Sequence, residues 1–166
     1  MTLVEPPRPL IEGDDGGSFD CGRDPMNLWF RRHAWASQAS GAARVNLLVA
    51  RNTGRIVAYV ALSAAQIERA YLPKAQQRNR PDPVPVTLLG QLAVDRADQG
   101  QGHAASLLVF AFRTALHVGS VGVLTHPLDN TARRFYARWG FADLPFDPRR
   151  AMFIRMVDLR LSFGFS

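Results

Sequence analysis

Gln99-Gly100-Gln101-Gly102 is the stretch of this chain where backbone chemistry concentrates. It follows a near-continuous apolar run, Val86 to Val94, interrupted by Thr87 and Gln91, which reads as a strand buried on both faces. A polar, turn-forming segment, Asp95–Gly102, comes next, and Ala104–Phe112 then continues as a helix. A strand, a glycine loop and a helix start make an anion site. The glycines let the backbone approach a ligand, and the first free N–H groups of the helix point at it. A phosphate-bearing cofactor is the natural occupant.

Other reactive side chains are sparse. Tyr136 stands between Phe135 and Trp139, a spacing that by itself reads as an apolar helical stripe. His126, after the run Val121–Thr125, reads as a structural histidine at a strand end or as a helper in proton transfer. The four histidines (33, 103, 117 and 126) and the single Cys21 have no metal-ligand spacing, so no metal is expected. There is no G-x-S-x-G elbow and no Walker lysine.

These groups must be positioned by one domain, expected to span residues 1–166. Hydrophobic residues make up 47%, enough for a core, and no apolar run reaches membrane-spanning length. The N-terminal residues lack a basic start followed by an apolar block, and one cysteine allows no internal disulfide. Both point to the cytoplasm. The net charge of +6 is unevenly spread. Residues 1–30 carry −4, the remainder about +10, and 19 of the 20 bases are arginine. Arginine forks suit phosphates. A polyanionic partner and a biased coding composition both account for this, and composition does not separate them.

The patterning gives the order of elements. Arg8–Ile11 is a short edge strand and Glu12–Gly17 a loop. A helix starts at Pro25 with Asp24 as N-cap, carries Met26, Trp29, Phe30, His33 and Ala34 on one stripe, and ends near Ser40-Gly41. Arg44–Arg51, a turn at Asn52–Gly54, and Arg55–Ala64 make a hairpin. Ala65–Ala70 is either a short helix or a strand extension. Leu72–Arg80 and Pro81–Pro85 form a polar connection that exposes Lys74, Arg78 and Arg80. After the strand Val86–Val94 come a helix over about Gly102–His117, a strand Gly119–Thr125, and a helix Asn130–Trp139 capped by Asp129 or Asn130, with Gly140 beyond its end. Strands Phe141–Leu144 and Ala151–Leu159 and a short tail, Arg160–Ser166, close the chain. The order implies a mixed α/β fold, one mixed sheet with helices on both faces.

Two segments together carry a resemblance. Gln99-Gly-Gln-Gly102, between strand and helix, resembles the pyrophosphate loop of the GNAT acetyltransferases. Ala132-Arg-Arg-Phe-Tyr-Ala-Arg-Trp-Gly-Phe141 resembles their A-x-x-F-Y-x-x-x-G-F signature. Phe19-Asp-Cys-Gly22, the hairpin ending Ala58–Ala64, and Pro83–Asp95 are similar to the GNAT toxins of bacterial toxin–antitoxin modules. The likeness runs from about Pro9 to Asp158. It departs from the family at Ala97, where a polar or charged residue is usual, at His103, where an apolar one is, and in the short stretch Phe112–Gly122.

The resemblance implies a GNAT fold whose mixed central sheet splays open at an acetyl-CoA cleft. It implies that Gln99, Gly100, Gln101, Gly102, His103 and Ala104 hold the pyrophosphate, and that the strand edge at Leu92, Ala93 and Val94 binds the pantetheine arm. Asn130 would bond the cofactor arm, Phe135 would line its channel, and Tyr136 would be the general acid for the leaving thiolate. The toxin branch implies acetylation of the amino acid on a charged tRNA, a homodimer, and an antitoxin of the ribbon–helix–helix type. An aminoacyl ester amine loses its proton near neutral pH without a strong base. Candidate tRNA contacts are Arg78, Arg80, Arg133, Arg134 and Arg138, with Arg31, Arg32, Lys74, Arg149 and Arg150 further out. The alternatives are an acetyltransferase for a small amine or a protein N-terminus, and a non-catalytic module that docks DNA or an antitoxin.

Overall fold

Helix α1 spans Asp24–Ser40, and the computed structural model describes residues 1–164. The N-cap of α1 is Arg23, without a side-chain cap, so Asp24 sits inside the first turn, where its charge suits the helix dipole. The helix buries Asn27, Phe30 and Ala34, and His33 faces out, off the stripe expected for it. Gly41, at φ +82°, ends α1 in the left-handed conformation that favours glycine. The chain then divides into two compact units, Met1–Ser63 with Gly90–Ala111, and Ala64–Leu89 with Phe112–Ser166.

In the first unit, β1 (Arg8–Pro9), β2 (Arg44–Val49), β3 (Ile56–Ile67) and the second half of β4 (Val84–Val94) neighbour one another in that order. The β1–β2 and β2–β3 pairs are antiparallel, with Arg8 opposite Leu47 and Leu47 opposite Tyr59. The N-terminal residues extend this edge. Glu5 donates to the Val49 carbonyl at 2.9 Å and Arg51 to that of Leu3 at 3.0 Å. The core beneath α1 is aromatic: Tyr59 stacks on Phe30 at 4.4 Å, meets Phe19 edge-on at 5.5 Å, and donates its hydroxyl to the Met26 carbonyl. Burial raises the Tyr59 pKa, and its satisfied hydroxyl makes it a core residue.

In the second unit the end of β3 and the first half of β4 are followed by β5 (Gly122–Thr125), β7 (Met152–Arg155) and β6 (Ala142–Asp143). The β4–β5 pair is parallel, with Thr87 opposite Val123, and β5–β7 and β6–β7 are antiparallel. Val84, Val86, Leu124, Ala151 and Phe153 form its apolar centre. Gly122 has no room for a side chain: a Cβ there would stand 2.3 Å from the Ile154 carbonyl oxygen and 2.5 Å from the Phe153 ring.

Helix α4 (Asn130–Arg138) is capped by Asp129, whose carboxylate accepts from the Ala132 N–H at 2.8 Å. Asn130 is therefore the first helical residue, exposed, and not the cap. Beyond α4, Gly140 lies at φ +97°, with the Phe141 N–H bonded to the Tyr136 carbonyl and that of Gly140 to Ala137. Asp129→Ala is expected to cost about 1 kcal/mol in denaturant unfolding, because it strands one N–H of the first turn.

Several sequence expectations change. Ala151–Leu159 is not one strand: β7 stops at Arg155, and Met156–Phe163 is helix α5, which takes in part of the expected tail. Met156 and Leu159 are buried at i, i+3, while Arg155 reaches Asp158 at 2.8 Å across the first turn. Residues 165 and 166 of that tail lie outside the described residues. The strand Val86–Val94 opens earlier, at Val84, and from Gly90 onward it is only partly buried, with Leu92 and Val94 half-accessible. The polar connection contains a short helix, α2 (Lys74–Gln77), after the strand extension to Ile67. The strands Gly119–Thr125 and Phe141–Leu144 shorten to β5 and β6. Helix α3 runs His103–Leu116, close to expectation. Among the described residues no helix is long and apolar enough to cross a membrane, and no group of histidine, cysteine and carboxylate side chains could hold a metal ion.

Candidate active site

The first unit assembles the loop. Strand β4 ends at Val94, Arg96–Asp98 makes one tight helical turn, and α3 begins at His103. Gly100 and Gly102 lie at φ +78° and +86°, and no heavy atom comes within 4 Å of the place where either Cβ would stand. Glycine is needed here for its backbone conformation, and space beside it is left open to a ligand. The Ser106 N–H bonds to the Gly102 carbonyl at 3.0 Å as the helix begins, and the amides before it belong to the start of the helix, where intrahelical acceptors are lacking. His103 is buried, and its Nε2 has no hydrogen-bond partner among the described residues. An orphaned polar atom at this helix start suits a polar ligand arriving from outside. Ala104 and Gln101 are half-buried.

Side chains expected at the cofactor divide by environment. Ala93 is buried, and Leu92 and Val94 present partly accessible edges. Gln99 uses its amide internally, donating to the carbonyls of Cys21 at 3.0 Å and Val94 at 2.9 Å. With its side-chain amide so engaged, what Gln99 has left to offer a ligand is its backbone. The Phe19–Gly22 segment is a buttress for this loop. Arg96 donates its N–H to the Asp20 carbonyl at 2.8 Å, and Asp20 donates its own to Asp95 at 3.0 Å. Cys21 is buried, and burial raises its thiol pKa, which removes it as a nucleophile. Ala97 leaves no polar hand at its position, and its N–H is held by the Asp95 carboxylate at 3.0 Å.

The second unit positions Tyr136, the expected acid. Tyr136, on α4, is 6% exposed. It meets Phe135 and Phe141 edge-on at 5.3 and 5.2 Å. Burial pushes its phenol up to about 12, opposed by a hydrogen bond with Thr125. Thr125 in turn donates to the Leu89 carbonyl at 3.0 Å, so the C-terminal end of β5 fixes the polar environment of the phenol. Phe135 is half-buried beside it. His126 follows directly. Its Nδ1 is buried without a partner among the described residues, and burial together with the nearby Arg149 charge lowers its pKa, against the pull of Asp147. Burial and the Arg149 charge both favour its neutral form.

The arginines separate as well. Arg133 is ion-paired with Asp143 and donates to the Arg150 carbonyl at 2.9 Å, so it braces α4 against the following loop. That structural use removes it from the set of freely presented cations. Arg78, Arg134 and Arg138 are exposed, and Arg80 is half-buried. Sequence reasoning did not single out Thr2, Arg55, Asp95 or Asp98. All four lack a spacing signal because they have partners distant in the chain.

The Acetyltransferase (GNAT) domain family matches residues 43–143. A tRNA-acetylating toxin from Mycobacterium tuberculosis is 36% identical over 168 aligned positions, covering 99% of each chain. Among solved structures, AtaT complexed with acetyl-methionyl-tRNAfMet superposes with a TM-score of 0.84 at 31% identity, over 95% of this chain and 98% of that one. A tyrosine-to-phenylalanine mutant of AtaT bound to the C-terminus of the antitoxin AtaR and acetyl-CoA superposes with a TM-score of 0.78 at 27% identity, over 96% of this chain and 97% of that one.

Proposed function

Because the chain belongs to the GNAT acetyltransferase family, we propose that it moves the acetyl group of acetyl-CoA onto the α-amine of an aminoacyl-tRNA and so blocks translation. The observation that carries this reading is the end-to-end likeness, at 36% identity, to a tRNA-acetylating toxin. Residues 1–166 would act as one acetyltransferase domain in the cytoplasm. The matched region includes parts of both compact units, and β4 and α3 each run through both.

When bound, acetyl-CoA supplies the activated acetyl thioester. The residues present fit it: Gly100 and Gly102 leave an open backbone face, and His103 Nε2 is an unmatched polar atom at the start of α3. In this reading the backbone from Gln99 to Ala104 holds the pyrophosphate, and Leu92, Ala93 and Val94 hold the pantetheine arm and offer an N–H to the acetyl oxygen. Asn130 and Phe135 border the arm. Tyr136 keeps its proton throughout the neutral range, as a general acid must. As the amine nitrogen bonds to the acetyl carbon and the carbon–sulfur bond breaks, the Tyr136 hydroxyl donates to the departing sulfur, and the proton released by the amine restores the phenol. From a phenol near 12 to a thiol of ordinary pKa, full transfer is uphill by roughly 5 kcal/mol. Tyr136 therefore works as a hydrogen-bond donor that yields its proton late. The amine needs no strong base.

Partners follow from the same reading: a charged tRNA, a second copy of this chain, and an antitoxin of the ribbon–helix–helix type whose own segment occupies the toxin. For the tRNA we assign exposed Arg134 and Arg138, with Arg78 and Arg80, and retain Arg133 only as their support. Arg134→Ala with Arg138→Ala is expected to weaken tRNA binding and to flatten its salt dependence by about one to two units of log–log slope, with acetyl-CoA affinity unchanged. Binding titrations at three salt concentrations check it. The decisive experiment for the function uses purified protein, labelled acetyl-CoA and bulk charged tRNA. Label should enter the aminoacyl-tRNA; label found only on free amines or on protein N-termini would overturn the tRNA reading.

A further inference from the structure

Two residues far from the glycine loop in sequence hold both ends of its turn. Thr2 donates its backbone N–H to Gln101 Oε1 at 2.7 Å and its hydroxyl to Asp98 Oδ1 at 2.5 Å. Arg55, at the start of the returning hairpin strand, sends Nη1 and Nη2 to the two oxygens of Asp98 at 2.8 and 2.9 Å. The same guanidinium stands 3.9 Å from Asp95. The side chain of Asp98 is 1% exposed. Between the anchors Asp98 and Gln101 lie Gln99 and Gly100, and Gly102 follows. Nothing stands within 4 Å of a Cβ position at either glycine. The turn is not held by packing at its glycines. Beside the bonds of Gln99 to the Cys21 and Val94 carbonyls, it is held at Asp98 and Gln101 by Thr2 and Arg55.

We propose that Thr2, Arg55 and Asp98 form a brace that preorganises the Gln99–Ala104 loop for the pyrophosphate of the acyl donor, and so sets donor affinity without touching the donor. The proposal rests on the acetyltransferase reading above. A glycine turn without anchors loses its backbone freedom when the ligand binds, and that loss is subtracted from affinity. A braced turn has already lost it on folding. Thr2 is suited to this role because it engages Asp98 through a hydroxyl and Gln101 through its backbone, spanning the turn from one residue. These are positioning residues. Their effect belongs to the part of the donor that meets the loop and not to the thioester.

The test compares acetyl-CoA with S-acetylpantetheine, which carries the same thioester and lacks the pyrophosphate. Thr2→Val removes the hydroxyl, Thr2→Ser keeps it, and Arg55→Lys keeps the charge but loses the fork. For Thr2→Val and Arg55→Lys, calorimetry is expected to show acetyl-CoA Kd raised about tenfold, the weight of one hydrogen bond. At saturating acetyl-CoA, kcat should hold, and turnover with S-acetylpantetheine should stay within about twofold. Thr2→Ser should bind as the parent does. Unchanged acetyl-CoA affinity in Thr2→Val and Arg55→Lys overturns the brace, and so does an equal loss with both donors, which is what a general loosening of the fold produces. A parent protein that binds no acetyl-CoA overturns the acetyltransferase reading itself, which separates the two failures.

Discussion

Tyr136→Phe is expected to lower kcat for tRNA acetylation about 10²- to 10³-fold while leaving acetyl-CoA Kd and the melting temperature close to the parent's. The substitution keeps the ring that meets Phe135 and Phe141. It removes one hydroxyl from a site that is 6% exposed. The partner left behind is not stranded, because the Thr125 hydroxyl already donates to the Leu89 carbonyl. The stability cost is therefore at most about 1 kcal/mol. Single-turnover kinetics with charged tRNA, beside calorimetry for acetyl-CoA, separate a lost acid from a damaged pocket. A kcat within a few-fold of the parent would return Tyr136 to the core role that its neighbours by themselves suggest. The pH profile adds a second check. Burial holds the phenol near 12, so the protonated acid persists well above pH 10, and no falling limb below pH 10 should trace to Tyr136. Its contribution to stability has the same sign. The raised value favours the neutral phenol, so the contribution is complete below pH 10, where the unfolded phenol is also neutral, and is lost as pH climbs toward 12.

Arg55→Ala is expected to destabilise the fold by about 3 kcal/mol at neutral pH, because it leaves the Asp98 carboxylate charged and buried, with the Thr2 hydroxyl as its remaining side-chain hydrogen-bond partner among the described residues. The value lies at the low end for a broken buried pair, since Arg55 is 38% exposed and water screens part of the interaction. In the parent, the hydrogen bonds from Arg55, with Thr2 adding to them, hold the Asp98 carboxyl below its usual range against the opposing effect of burial. That stabilisation is present above the ordinary carboxylate value and is lost as pH falls through the lowered one. The penalty of Arg55→Ala should accordingly shrink as pH falls through and below the ordinary carboxylate range. Thermal melts of parent and variant from pH 7 to pH 3 read this as two curves that converge. A double replacement, Arg55→Met with Asp98→Leu, should be less destabilised than Arg55→Ala, since no buried charge remains. Parallel curves, or a double variant worse than the single, would show that the pair is not what holds this end of β3 to the loop.

The chemistry of this chain was legible where it depends on neighbours in sequence. A strand, a glycine loop with two left-handed positions and a helix start lie within residues 86–108, and each is dictated by local pattern: apolar run, turn residues, helix formers. The aromatic segment ending in Gly140 is equally local, since the helix, its terminating glycine and the placement of Tyr136 on the helix all follow from spacing along one element. The last element misled the pattern for a local reason. Ala151–Leu159 reads as one strand in the sequence, yet burial at Met156 and Leu159, three apart, and an Arg155–Asp158 pair across one turn select a helix after Arg155.

Which groups serve the loop and which serve the fold was decided only in three dimensions. Arg133 looks like Arg134 in the sequence, and only the position of Asp143 and the Arg150 carbonyl removes it from the exposed set. Asp98 and Arg55 are separated by 43 residues, and Thr2 and Asp98 by 96, so no spacing rule links them. The sequence by itself determined the family, the strand–glycine-loop–helix stretch and the place of Tyr136 on its helix, because those depend on backbone geometry within single elements. The tertiary structure decided the burial of that tyrosine and the bonds from Thr2 and Arg55 to Asp98, because burial and ion pairing depend on which distant segments share a space.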